Sequence, residues 1–365
     1  MRTHFFTVSV AALLGVAAGP QDGTADLLQR AVRELVVMQE EGGVWPYEGV
    51  YRVKGEIPVG YRVGGTAIVA GTLLRAAPED KEARAAAARG LAAVLNGLEH
   101  PLMEPSTVDA YDVRVWGHAY ALEFLCQARA SNAAGDRAKE VDERIPWLVK
   151  ALVTEELPEG GWNYAGRRAQ GAFVTAPVVQ ALLWARGQGF AVPEEVLVRA
   201  RKALETSRAD SGAYLYSGVF ADGELRQTRD QVAGSCARSA GCEATLRLLG
   251  AGSEEALKGA IDAFHKHWDA LEARRKKTGT HVGPYSIAPY YFYYGHRYAA
   301  QAIQVMPEAA RAAERARLLP VILRTRDDDG TWNDRVFPRS RNYGTAMIVL
   351  ALLGDKAPLP PPLKK

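Results

Sequence analysis

Residues 116–126 read WGHAYALEFLC, and five other stretches repeat the phrase: GGTAIVAGTLL at 64–74, VTAPVVQALLW at 174–184, AGCEATLRLLG at 240–250, YGHRYAAQAIQ at 294–304 and YGTAMIVLALL at 343–353. The third position of each copy gives an anchor column, Thr66, His118, Ala176, Cys242, His296 and Thr345, spaced by roughly 50 to 65 residues, a repeat period. The phrases are rich in Ala, Val and Leu nearly all round, as buried helices are. Ahead of them lie more charged stretches with apolar residues three to four apart, such as ADLLQRAVRELVVMQ from Ala25, DERIPWLVKALV from Asp142, EEVLVRARKALE from Glu194 and EAARAAERARLLPVIL from Glu308. The pattern is outer helix, loop, inner helix.

An open solenoid needs polar capping repeats at its ends. Neither the first copy (Ala67, Ile68, Val69) nor the last (Met347, Ile348, Val349) is polar, so the expected fold is all-α, a closed α/α toroid of six outer and six inner helices. Residues 20–356 are expected to form this single domain, and the proline-rich APLPPPLKK from Ala357 is expected to extend along the surface. Between outer and inner helix an aromatic follows a glycine turn: Gly-Gly-Val-Trp at 42–45, Gly-Gly-Trp at 160–162, Ser-Gly-Ala-Tyr at 211–214 and Asp-Gly-Thr-Trp at 329–332, with Gly283-Pro284-Tyr285 a weaker copy. Glycine lets the chain reverse there, and the aromatic is placed to pack on the neighbouring helix.

Residues 1–19 have the form of a secretory leader, with basic Arg2, an apolar run from Phe5 through Val16, and the small Ala17 and Ala18. That run is too short to span a bilayer, and no later segment is long and apolar enough to do so. The mature chain is therefore expected to be exported, periplasmic or secreted, and monomeric. Loss of Arg2 with the leader takes the formal charge from +3 to +2, a balance that argues against nucleic-acid binding. The cysteines number three. Cys236 and Cys242 can bridge only if Cys236 lies before the helix, since within one helix they stand about 9 Å apart. Cys126 reads as a small core residue.

The Gly-Gly-Trp and Asp-Gly-Thr-Trp loops, each followed by an apolar helix, resemble the repeats of squalene and hopene cyclases and of protein prenyltransferase β subunits, the terpenoid cyclase toroid superfamily. The resemblance covers nearly the whole mature chain and implies the toroid, with a ligand in its central cavity. It does not carry the cyclase activity across. The family's Asp-x-Asp-Asp acid motif is missing, and the acidic run Asp327-Asp328-Asp329 belongs to a glycine-tryptophan loop. The prenyltransferases hold zinc with Asp-x-Cys on one inner helix and a His on the next. Two of those three ligands match here, Cys242 and His296, while Ala240 stands where the Asp would be and Glu243 is a substitute only if it turns inward. His118, two helices from Cys242 on a ring with axes about 15 Å apart at that separation, lies beyond reach of such a metal.

Two further columns carry possible chemistry. Arg62, Arg114, Arg238 and Arg341 precede four anchors by one helical turn, with Arg167, Arg168 and Arg339 nearby. They either form an anion-binding rim at the helix N-termini or brace the loops against Asp109, Asp112, Asp230 and Asp334. Aromatics crowd the same level: Trp116, Tyr290, Tyr294 and Tyr343 head the candidate ligand wall, and His118, His296, Tyr294 and Tyr343 are the catalytic candidates. Three functions fit: a toroid that binds an isoprenoid-like lipid, a polysaccharide-active, lyase-like toroid using Tyr, His and Arg on an anionic glycan, and a non-catalytic binding scaffold. Paired inward carboxylates, which glycoside hydrolases use, are absent from the anchors.

Overall fold

The computed structural model describes residues 21–108, 112–164, 169–218 and 227–363. The leader and the expected partners Asp109, Arg167 and Arg168 lie outside the described residues. The helices run α1 (Gln21–Val37), α2 (Val59–Ala76), α3 (Lys81–Leu98), α4 (Arg114–Ala130), α5 (Ala138–Glu155), α6 (Ala172–Gly187), α7 (Glu194–Thr206), α8 (Val232–Leu248), α9 (Glu254–Lys266), the short α10 (Trp268–Glu272), α11 (Tyr291–Val305), α12 (Glu308–Arg324) and α13 (Ser340–Leu353). Among the described residues no helix is long and apolar enough to cross a membrane.

The inner helices α2, α4, α6, α8, α11 and α13 touch in that order, and α13 touches α2. The ring is closed. Each outer helix packs chiefly on the inner helix before it, α3 on α2, α5 on α4, α7 on α6, α9 on α8 and α12 on α11, while α1 takes the place beside α13. This last contact joins the two ends of the chain, so the tightest structural unit is inner helix plus the following outer helix. The outer helices have an apolar face and a solvated one, and Asp80 and Ser253 cap α3 and α9 by accepting from Ala83 N (2.8 Å) and Ala256 N (3.0 Å).

The aromatic loops are built alike. Gly43, Gly160, Gly212 and Gly330, each two residues before the aromatic, have φ of 79°, 89°, 80° and 89°, a left-handed conformation that favours glycine. Past the turn, Trp45, Trp162 and Trp332 are wholly buried, and each indole Nε1 donates to a carbonyl ten residues earlier on the outer helix, Leu35 O (2.8 Å), Leu152 O (2.7 Å) and Ile322 O (3.0 Å). The backbone N–H of the same tryptophans donates to Thr66, Thr175 and Thr345 Oγ1 at 3.0, 3.0 and 3.1 Å. The anchor of the third repeat is therefore Thr175, one residue before Ala176. Tyr214 uses its hydroxyl differently, donating to Glu243 Oε1 (3.0 Å), and Tyr285 is only half-buried, so the Gly283-Pro284-Tyr285 segment is not a fifth copy.

The proline-rich tail does more than lie on the surface. Gln304 Nε2 donates to Ala357 O (2.9 Å), Pro360 is buried, Pro361 sits against Gly187, and Leu363 N donates to Leu248 O (2.8 Å). These contacts carry the tail from α11 to the ends of α6 and α8, across the end of the ring where the inner helices terminate. The opposite end, where the inner helices begin, is the mouth.

Because Thr175 Oγ1 is the acceptor for the buried Trp162 N–H, Thr175→Val is expected to lower unfolding free energy by about 1–3 kcal/mol, the cost of an orphaned buried donor. Urea unfolding monitored by tryptophan fluorescence measures it, and a loss below about 0.5 kcal/mol would contradict this account of the anchor.

Candidate functional site

Tyrosines fill the axis of the ring on the mouth side. Tyr290 stacks on Tyr343 with centroids 5.1 Å apart, Tyr47 meets both, and Trp116 Nε1 donates to Tyr290 Oη (2.7 Å). Tyr294 packs on Tyr298 at 4.3 Å and donates its hydroxyl to Phe173 O (3.0 Å). Burial pushes Tyr290, Tyr294 and Tyr343 well above the ordinary phenol value, so none of them is a base near neutrality. Deeper in, Glu123 accepts from Arg297 Nη2 (2.7 Å) and Arg75 Nη2 (2.9 Å). Burial alone would raise the Glu123 carboxyl; Arg297 and Arg75 outweigh it and hold it below the usual range. Around these side chains is a cavity of about 10 Å³, room for about one water and far below the roughly 300–1,000 Å³ of a typical ligand pocket.

The two anchor histidines turn outward, away from this axis. His118 Nε2 donates to Met103 O (2.8 Å), and Nδ1 lies 2.9 Å from Glu155 Oε2 on α5. This buried contact ties α4 to the next outer helix. His296 Nδ1 donates to Phe292 O (2.7 Å), while Nε2 accepts from Trp268 Nε1 (2.9 Å). Burial pulls its imidazole down to about 3, so it is neutral and its two nitrogens are both engaged. Neither histidine is placed for catalysis in the ring.

Cys242 and His296 do not converge. Cys242 packs with Ala172, Leu204 and Tyr214 beside α6 and α7, whereas His296 packs on Phe264 and Trp268 of α9 and α10. Glu243 turns to Arg208 (2.6 Å) and Tyr214, and among the described residues no three His, Cys, Asp or Glu side chains are grouped to hold a metal ion. Cys236 and Cys242 both lie within α8, and all three cysteines are free and buried.

The arginine column braces loops. Arg114 pairs with Asp112 (Nε to Oδ2, 2.8 Å), Arg341 with Asp329 (2.5 Å) and Arg339 with Glu40 (2.7 Å). Arg238, wholly buried, donates to the carbonyls of Tyr214 (3.1 Å), Gly234 (3.0 Å) and Arg229 (2.7 Å) and lies 3.5 Å from Asp230. Arg62, by contrast, is exposed and has no side-chain partner among the described residues. Three of the four arginines aligned in sequence, Arg114, Arg238 and Arg341, thus do three local jobs.

Residues outside the repeated phrase form the cluster with accessible chemistry. Tyr216 Oη lies 3.2 Å from His281 Nε2 and 3.3 Å from Tyr164 Oη, and all three side chains reach solvent at least in part. Tyr216 is fixed from below by Phe173 (5.1 Å) and by its own N–H donating to Asp230 Oδ1 (2.7 Å). The guanidinium of Arg229 stands 4.7 Å from the Tyr216 ring centroid and that of Arg238 5.5 Å. Burial and then the charges of Arg229 and Arg335 lower the His281 imidazole below its usual value, leaving a neutral ring beside a phenol. The geometry is that of a proton-transfer pair in a cationic setting. Tyr216 sits two residues past the Ser-Gly-Ala-Tyr turn and His281 in an irregular segment before α11, so periodicity could not flag either.

A second polar feature lies at the same end. Asp334 is wholly buried; its Oδ2 accepts from Tyr47 Oη (3.4 Å), and Oδ1 has no hydrogen-bond partner. Burial pushes its carboxyl up to about 7.

No family model and no curated protein matches the chain. Solved structures do. The type II terpene cyclase MstE from Scytonema superposes with a TM-score of 0.57 at 15% identity, over 93% of this chain and 99% of that one. The α-1,6-mannanase GH76A from Salegentibacter gives 0.58 at 12% identity, over 90% and 98%, and an inactive variant of it in complex with α-1,6-mannotetrose gives 0.59. The chain shares their α/α-toroid fold. At such identities the likeness extends to the fold alone, and it joins a lipid cyclase and a glycan hydrolase on one architecture.

Two buried groups set opposite pH slopes. Between 6.5 and about 3 the unfolded chain binds a proton that folded His296 refuses, so stability falls as pH drops through that window. Between 3.8 and about 7 folded Asp334 keeps a proton that the unfolded chain releases, so stability falls as pH rises there. Asp334→Asn is expected to remove the second slope and His296→Gln the first, each by roughly 1.4 kcal/mol per pH unit at most. Urea midpoints across pH 4 to 8 read both (about 0.5 M steps suffice).

Proposed function

We propose that this protein is an exported toroid that binds an acidic glycan at the mouth of its ring, with Tyr216 and His281 supplying lyase-type proton transfer. The observation that carries the reading is the half-exposed Tyr216 and His281 contact of 3.2 Å beside Arg229. The interlocked, buried tyrosines on the mouth side of the axis support it over an isoprenoid site among them. The leader-like residues 1–19 support export, where polymeric glycans are met.

A uronate bound at the mouth would lay its carboxylate toward Arg229, which stabilises the charge that develops when the adjacent carbon loses its proton. His281, neutral, takes that proton. The electron pair left on carbon forms the C=C bond, the glycosidic C–O bond breaks, and the leaving oxygen takes a proton from the Tyr216 hydroxyl. Transfer of the proton from His281 to Tyr216 across their contact restores both groups. No co-reactant is required. Tyr164, hydrogen-bonded to Tyr216, is placed to orient the phenol.

The test is a panel of uronate-containing polymers, with a neutral mannan and a prenylated aromatic as controls, followed by the ultraviolet absorbance of unsaturated products. Cleavage of a uronate polymer is expected, with Tyr216→Phe and His281→Ala each lowering kcat by about 10²-fold or more while melting temperature stays near wild type. Cleavage unaffected by both variants, or binding of the prenylated compound alone, would overturn the proposal.

A further inference from the structure

Arg274, in the segment between α10 and α11, is 1% exposed, and both its Nη1 and Nη2 are buried without a hydrogen-bond partner. An isolated cation in that position is strongly disfavoured, and native proteins normally pair it. Among the described residues, the titratable groups acting on it are the Cys236 thiol, the Arg238 guanidinium and the Tyr285 phenol, and none of these is a carboxylate. Arg238 adds a second buried charge, and its own acidic neighbour, Asp230 at 3.5 Å, offsets only one of the two. Burial and the Arg238 charge together act against the Arg274 cation, while Cys236 and Tyr285 favour it; burial is the largest influence and takes it down to about 10, still charged at neutral pH. One positive charge is left over.

We propose that Arg274 encloses a small monovalent inorganic anion of chloride size between α8 and the segment that carries His281. The charge left over is single, which suits a monovalent ion. The free donors are the two guanidinium nitrogens, since Arg238 already donates to three carbonyls and Cys236 Sγ to Ala233 O at 3.3 Å. Two fork-shaped donors are enough for a halide and too few for the four oxygens of sulfate or phosphate. Arg274 is itself enclosed, whereas Tyr216 and His281 reach solvent, so the anion is part of the fold and does not depend on what binds at the mouth.

The direct measurement is a crystal of the full mature chain grown in sodium bromide, with anomalous diffraction. A bromide peak within hydrogen-bond reach of Arg274 Nη1 and Nη2 is expected. In solution, the melting temperature should rise with the logarithm of chloride or bromide concentration relative to sodium gluconate at equal ionic strength, and Arg274→Met should remove that dependence. If Arg274→Met does not fold, Arg274→Gln and the bromide crystal carry the test. Equal melting temperatures in chloride and gluconate together with density lacking anomalous signal would show a water and overturn the proposal. Displacement of bromide by an oligouronide would overturn it too, because the site would then belong to the glycan.

Discussion

The structure depends on one joint, used three times: a buried tryptophan whose indole N–H donates to the outer helix and whose backbone N–H donates to a threonine on the inner helix. Trp45, Trp162 and Trp332 each bridge the two layers of the toroid in this way. The joint requires the chain to reverse sharply before the aromatic, and the left-handed glycines two residues earlier supply that reversal. It also removes two buried donors from the list of groups that must find partners, which a helix-to-helix loop passing under the surface otherwise leaves unsatisfied. Because α1 packs beside α13, the joints of the first and last repeats are neighbours, and the closure of the ring rests on the same device as its interior.

With the layers fixed, the chemistry of the axis follows from what the inner helices point inward. On the mouth side they present tyrosines that interlock edge to face. Farther in they present Glu123 between Arg75 and Arg297, then a chain of amides in which Gln180 Nε2 donates to Thr245 Oγ1 and to Gln301 Oε1, each at 2.8 Å. A ring of six helices has a hole that apolar aliphatic side chains fill poorly, and long planar or forked groups cross it with hydrogen bonds intact. The tail over the far end completes the closure. Access is left at the mouth, where the loops rather than the helices decide what is displayed.

How far the sequence could be read follows from this division. The ring was legible because the period, the all-round apolarity of six phrases and the glycine-aromatic turns all express packing that the fold repeats. The anchor column was legible in its meaning only where it held threonine; at the third repeat the bonding residue is Thr175, and a phrase aligned on apolar character slipped by one. The histidines show the limit more sharply. His118 and His296 stand in the same column as the threonines, and they too bond the outer layer, one to Glu155 and the other to Trp268. The break in the repeated pattern marked a change of structural partner. Periodicity reports which helix face a residue occupies, and says nothing of whether a polar side chain on that face turns to the axis or back to the neighbouring helix.

The mouth cluster was illegible for the complementary reason. Tyr216 and His281 are 65 residues apart and belong to two loops of unequal length, and neither loop follows the repeat. Their meeting is set by α8 and α11 standing side by side, which brings the loops before each helix together at one point of the rim. The loop before α11, like those before α4 and α8, has no tryptophan joint, so its position is held by other means. Arg335 Nη1 donating to Gly279 O at 2.9 Å, Lys276 Nζ pairing with Asp327 at 2.5 Å, and Lys276 N donating to Asp334 O at 2.8 Å are the contacts that do so. Where the repeat lacks its hydrophobic fastening, charged side chains have taken over the task, and the cationic character of the rim follows from that substitution.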